Sequence, residues 1–199
     1  MRRMRVPLVL AALLLTPSVA DAHLVTTGLG PFYDGAMHLA FSPEYLLGLL
    51  AVALLAGLCG PRAGRWTIMA VPIAWLTGAV IGLQIPEIPP VPALGIVSLI
   101  VLGLLVALDL KLPDWSIATL GGIFGLLHGL LNGVALSAAP ERGLNLLGIV
   151  TTVFVLVLLV SATAASQRSG WTRVAVRVAG SWVVAVGMLM FGWLFRGTV

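Results

Sequence analysis

Six apolar stretches, separated by short turn signals, constrain this chain more than any other feature. They run approximately over 43–60, 66–84, 93–110, 115–138, 145–165 and 174–195. Each approaches the ~20 residues that a bilayer crossing requires. The connectors "GPRAGR", "IPEIPPVP", "KLPD", "APERGLN" and "SQRSGWTRVAVR" leave no room for a soluble domain. Connections this short make consecutive helices antiparallel neighbours. The expected fold is an all-α integral membrane protein, a compact bundle of six transmembrane helices. Composition agrees: 60% of the 199 residues are hydrophobic and 9% are charged, against roughly 25% charged in soluble domains. Scattered basic residues form no patch, which excludes nucleic acid as a partner. The single cysteine, Cys59, excludes an intramolecular disulfide.

The N-terminal region reads as an export signal. Arg2, Arg3 and Arg5 precede the short apolar core "VPLVLAALLLTPSV", and Ala20-Asp21-Ala22 fits a small-x-small cleavage site. The expected organisation is a cleaved signal peptide over 1–22, an exported segment over 23–42, and a six-helix domain over 43–199. An uncleaved first helix is the competing reading. Cleavage makes His23 the mature N-terminus and the first, third and fifth connectors cytoplasmic. Those connectors hold Arg62, Arg65, Lys111, Arg168, Arg173 and Arg177, whereas the opposite side holds Arg142 and Arg196. This asymmetry follows the positive-inside rule. The expected location is the bacterial inner membrane, multi-pass, with the mature N-terminus and the C-terminus periplasmic.

Within the fourth stretch, "GGIFGLLHGLLNG" carries His128 and Asn132 one helical turn apart. Gly121, Gly125, Gly129 and Gly133 trace a strip along the same side, and small residues at this spacing admit a second helix backbone. His128 and Asn132 therefore face protein or a cavity, not lipid. One reading makes them an interhelical hydrogen bond, worth only ~0.6 kcal/mol on average inside a membrane. The other makes an intramembrane ionisable residue the marker of a pathway or binding site.

A second polar cluster lies in "YDGAMHLAFSPEYLL". Asp34 and His38, four residues apart, share a face if the segment is helical. Ser42-Pro43-Glu44 reads as N-cap, first-turn proline and first-turn acid, so Glu44 has a structural reading as complement to the helix dipole. Asp34 has one as a turn residue beside Gly35. His38 caps nothing. Asp34, His38, Glu44 and His23 supply nitrogen and oxygen donors at the outer mouth of the bundle, and His128 with Asn132 supplies them inside it.

These stretches resemble the HupE/UreJ family, regarded as nickel or cobalt permeases associated with hydrogenase and urease gene clusters. The resemblance covers nearly the whole mature chain. It includes an exported histidine, a His-x5-acidic motif entering the first span, and an HG motif in the fourth. In the first motif of better-known members, His-x5-Asp-His, His38 matches the histidine, Glu44 takes the aspartate position and Tyr45 replaces the second histidine. In the second, similar to F-H-G-x-A-H-G-x-E, Gly125, His128 and Gly129 match. Phe124 takes its first histidine position, and Leu131 its glutamate position. Half of the family's presumed ligands are thus absent, as in a divergent branch.

The resemblance implies a secondary permease or facilitator whose cargo is a divalent metal ion, nickel or cobalt, with zinc and copper as alternatives. The candidate metal residues are His38, Glu44, His128, Asp34, His23 and Asn132. Of these, Asp34 rests on its spacing to His38 and Asn132 on facing the same way as His128, rather than on the family's motifs. No permanently bound cofactor is expected. The expected partners are the lipid bilayer, the metal ion, and a homo-oligomer or unknown membrane partner. No Walker motif, GxSG or HExxH occurs, so ATP hydrolysis and enzymatic chemistry are not expected. Two alternatives compete: an accessory or scaffolding membrane protein, and a metal-dependent intramembrane hydrolase.

Overall fold

The structure, a computed structural model, describes residues 26–88, 91–166 and 170–196. Among these residues the regular structure is entirely helical: α1 (Pro31–Phe41), α2 (Pro43–Cys59), α3 (Pro61–Gly82), α4 (Pro92–Ala107), α5 (Asp114–Leu136), α6 (Arg142–Ser166) and α7 (Gly170–Leu194). Each expected apolar stretch falls on one helix, from α2 to α7. Four of them, α3, α5, α6 and α7, are long and apolar enough to cross a membrane alone. Helices α1 and α2 reach that criterion together, as a pair bent by 76°, and α4 is shorter at 16 residues. The chain is therefore a multi-pass helical membrane protein with four or five long apolar spans by length and composition. The expected signal peptide and His23 lie outside the described residues.

Proline sets the start of α1, α2, α3 and α4, where its fixed φ suits the first turn and its missing N–H costs nothing. The connector "GPRAGR" contracts to Gly60, whose φ of 120° is open to glycine alone at low cost. The chain turns there and Pro61 restarts the helix. The basic residues of "GPRAGR" therefore occupy the first turns of α3, and those of "GWTRVAVR" the first turns of α7. Ser42 takes the N-cap position of α2 as expected, but without a side-chain capping bond. Its hydroxyl donates back to the His38 carbonyl at 2.7 Å, closing α1 at the bend.

Small residues place the helices. Helix α2 runs through the centre and touches all six others. Along α3 and α5, a Cβ added at Gly125, Gly129 or Gly133 would fall on the backbone of Val71, Trp75 or Ala79, and one at Gly78 or Gly82 on that of Leu126 or Leu130. The two backbones are thus in direct contact, and the glycine strip read from the sequence is a helix–helix seam. A second seam joins α4 to α7 through Gly103 and Gly180. Helix α1 lies on α6 in the same way, Gly35 against the Asn145 carbonyl and Gly148 against that of Phe32. The 31–41 segment is therefore part of the helical packing.

Candidate intramembrane site

The α3–α5 seam carries His128 and Asn132 into the interior, where they are 1% and 0% exposed. Both face protein, as the glycine strip implied. The His128 ring is walled by aromatic groups. Phe124 lies one turn away at 4.2 Å between centroids, Tyr45 of α2 stands edge-on at 5.4 Å, and Trp75 of α3 lies nearly parallel at 6.3 Å. On the remaining side its Nε2 is 3.1 Å from Ser98 Oγ of α4.

Polar atoms are left over in this setting. His128 Nδ1, Trp75 Nε1 and both amide atoms of Asn132 are buried with no hydrogen-bond partner. Asn132 lies beside the Tyr45 hydroxyl, yet neither amide atom reaches hydrogen-bonding geometry with it. An unpartnered buried polar group costs about 1–3 kcal/mol, so several around one histidine call for water, an ion or a function.

A cavity of about 540 Å³ opens at His128, lined also by Glu44, Tyr45, Gly95, Leu131 and Met190 among others. Pro92 and Val91 of the lining place it at the bundle end that bears the α3–α4 connection. Glu44 and His128 flank one point on α4, since a Cβ added at Gly95 would stand 3.8 Å from both Glu44 Cγ and His128 Cε1. The missing side chain at Gly95 is what leaves that gap open. A second cavity of about 220 Å³ lies between α4 and α5, with Ser98 and His128 among otherwise apolar walls. His128 borders both cavities.

The other sequence candidates lie further out. His38 is half-buried on α1 with its ring 6.1 Å from Tyr45, so Tyr45 stands between the two histidines. The Glu44 charge reaches His38 electrostatically. Asp34 accepts from the backbone N–H and the hydroxyl of Thr27, both at 2.6 Å; it lies in the first turn of α1 rather than in a turn beside Gly35. Among the described residues no group of three or more His, Cys, Asp or Glu side chains gathers to hold a metal ion. The candidates divide into Glu44 and His128 on one cavity, Asn132 buried near Tyr45, His38 beyond Tyr45, and Asp34 tied to Thr27.

Sequence reasoning missed Ser98 and Trp75. Ser98 is a lone hydroxyl in an apolar helix, a type that ordinarily bonds its own backbone, and nothing local marks it. Trp75 had a signal: Gly78 and Gly82 sit four apart on α3, and that pair identifies the helix facing the α5 glycines.

The opposite end of the bundle is tied by charge. Arg173 of α7 donates through both Nε and Nη2 to Asp109, the latter at 2.8 Å, and Arg177 Nε donates to the Ala107 carbonyl at 3.0 Å. The Arg173 guanidinium holds the Asp109 carboxyl below the usual carboxylate range. Arg62 and Asp114 pair more loosely at 3.5 Å, joining the first turns of α3 and α5.

Glycine-seamed helices around a histidine-bearing internal cavity define a class: a multi-pass membrane protein with a polar site inside its helical packing. The chain belongs to the HupE/UreJ family, whose profile, described as "HupE / UreJ protein", matches residues 11–190. It is also similar to the protein HupE of Rhizobium leguminosarum bv. viciae, at 29% identity over 191 residues covering 94% of this chain and 97% of that one. No solved structure matches.

Proposed function

We propose that the protein is a secondary permease or facilitator for a divalent transition-metal cation, nickel or cobalt, in the bacterial inner membrane. The observation that carries this reading is the cavity lined by both Glu44 of α2 and His128 of α5, the histidine keeping a buried, unpartnered Nδ1. Imidazole nitrogen and carboxylate oxygen suit borderline divalent ions. Two protein donors leave much of the coordination sphere to water. Such incomplete capture suits transport, because the ion must also leave. His38 lies next outward, beyond Tyr45, and is a relay donor on this reading; Asp34 and His23 are outer capture groups, and Asn132 offers an amide oxygen inside. The resemblance to nickel and cobalt permeases supports the choice of cargo.

The topology that accompanies this function has α2 to α7 each crossing once. That arrangement puts Arg62, Arg65, Lys111, Arg173 and Arg177 at one end and Arg142 and Arg196 at the other, in keeping with a cytoplasmic basic end. The cavity then opens toward the periplasm, and residues 1–22 serve as a cleaved signal. No catalytic residue enters this reading.

Uptake of radioactive nickel and cobalt by cells expressing the protein tests it. Glu44→Ala and His128→Ala are expected to lower uptake about tenfold or more, on the scale by which disturbed coordination weakens metal sites. His38→Ala is expected to do less. Membrane insertion is checked by blotting the membrane fraction. If the first two variants, equally inserted, match the wild type, the assignment fails.

A further inference from the structure

We infer that Ser98 is a positioning residue that fixes the tautomer of His128, holding the proton on Nε2 and presenting Nδ1 as the site's nitrogen donor. The argument is a count of protons. A serine hydroxyl has one to give. Ser98 Oγ lies 2.7 Å from the Gly95 carbonyl and 3.1 Å from His128 Nε2. A carbonyl only accepts, so the shorter contact takes the Ser98 proton and leaves the oxygen's lone pairs facing Nε2. Nε2 must then be the donor. A neutral imidazole carries one N–H, so Nδ1 is left as a bare lone pair, and it is the His128 nitrogen with no protein partner.

The sequence builds this with two residues on one turn of α4. Gly95 supplies the carbonyl that takes the serine proton, and its missing side chain leaves the gap flanked by Glu44 and His128. Ser98 passes the orientation on to the ring. Histidines that bind metals commonly donate their second ring N–H to a fixed acceptor, which sets tautomer and ring direction; here the acceptor is a hydroxyl that is itself oriented. The ring has little freedom otherwise, with Phe124, Tyr45 and Trp75 around it. That Nδ1 then meets a divalent cation rests on the permease reading; the tautomer does not.

The experiment separates the two. The full chain, labelled with nitrogen-15 histidine and reconstituted without metal, is examined by solid-state NMR, with the His128 signals identified by their loss in His128→Gln. The expected wild-type spectrum shows a single tautomer, Nε2 protonated and Nδ1 bare. Ser98→Ala is expected to show a mixture of tautomers, and Ser98→Thr, which keeps the hydroxyl, the wild-type pattern. In cells, uptake of nickel and cobalt is expected to fall about fivefold in Ser98→Ala and to be restored in Ser98→Thr. A protonated Nδ1 in the wild type, or an unchanged spectrum in Ser98→Ala, overturns the assignment of Ser98. The expected spectra together with uptake that ignores His128 uphold it and overturn the permease reading instead.

Discussion

Helix α5 has two sides built on opposite rules. Toward α3 it presents glycine, and the two backbones touch at Gly125, Gly129 and Gly133. Toward α4 it presents Phe124, Leu127, His128 and Leu131, and there the packing opens into cavities of about 540 and 220 Å³. Across the open side His128 is hydrogen-bonded to Ser98. Helix α4 is held from behind by its own glycine seam with α7. Two tightly joined pairs, α3 with α5 and α4 with α7, thus meet around α2, and the polar site lies where the pairs face each other. Close backbone packing fixes a helix's rotation and height. Only a helix fixed that way can hold a histidine at a set point inside an apolar bundle.

The comparison breaks most directly at Gly129. Its added Cβ would fall on the Trp75 carbonyl, whereas Gly122, in the same helix, has nothing within 4 Å. Backbone cannot yield as a flexible side chain does, and overpacking of this kind costs about 1–3 kcal/mol or more. Gly129→Leu is expected to lose at least ~3 kcal/mol in reversible unfolding in detergent micelles. Gly122→Leu is expected to stay within ~0.5 kcal/mol of the wild type, the usual range at an unpacked surface. Equal losses would mean that α5 has no privileged side.

That seam was legible in the sequence because it is periodic: four glycines at every fourth position, with His128 and Asn132 within or beside the strip, turn that part of the helix toward protein. The same holds for the six apolar stretches, whose lengths are a local property. What stayed hidden depends on long-range contacts. Ser98 is an ordinary serine until α5 lays His128 against it. Ser42 holds the N-cap position read from the sequence, but its hydroxyl makes no capping bond because it has a competing acceptor, the His38 carbonyl one turn back. The docking of α1 on α6 was equally out of reach, since Gly35 and Gly148 are far apart in the chain and each alone is only a small residue. Glu44 could be seen as a candidate donor, but its shared cavity with His128 required the register of α2 on α5.

Asn132 sharpens the comparison at smaller cost. It lies between the two sides, fully buried with both amide atoms unpartnered. A group kept for stability should be satisfied, whereas an orphan amide is paying its desolvation cost without return. Asn132→Leu, similar in volume and apolar, is expected to raise unfolding stability by about 1 kcal/mol while lowering nickel and cobalt uptake. A loss of stability of the same size would show that the amide is bonded in the folded protein and belongs to the rigid side.

The smallest expected effect concerns what holds α4. Besides its glycines, α4 is followed at once by Asp109, which pairs with Arg173 of α7. The Asp109 carboxyl lies below its usual value of 3.8 because Arg173 hydrogen-bonds to it. Lowering of an acid's folded value means that the ionised form is favoured in the folded protein. The pair's contribution is therefore fully present above about pH 4 and is lost as pH falls through the depressed folded value. Arg173 is 40% exposed at its side chain, so solvent screening limits the pair to less than about 1 kcal/mol. Asp109→Asn is expected to lose that amount at pH 7 and to converge with the wild type at the acid end, and added salt should narrow the gap at pH 7. A loss well beyond 1 kcal/mol at pH 7 would shift the hold on α4 from the glycine seam to this ion pair, and the symmetry between the two backbone-packed pairs would fail.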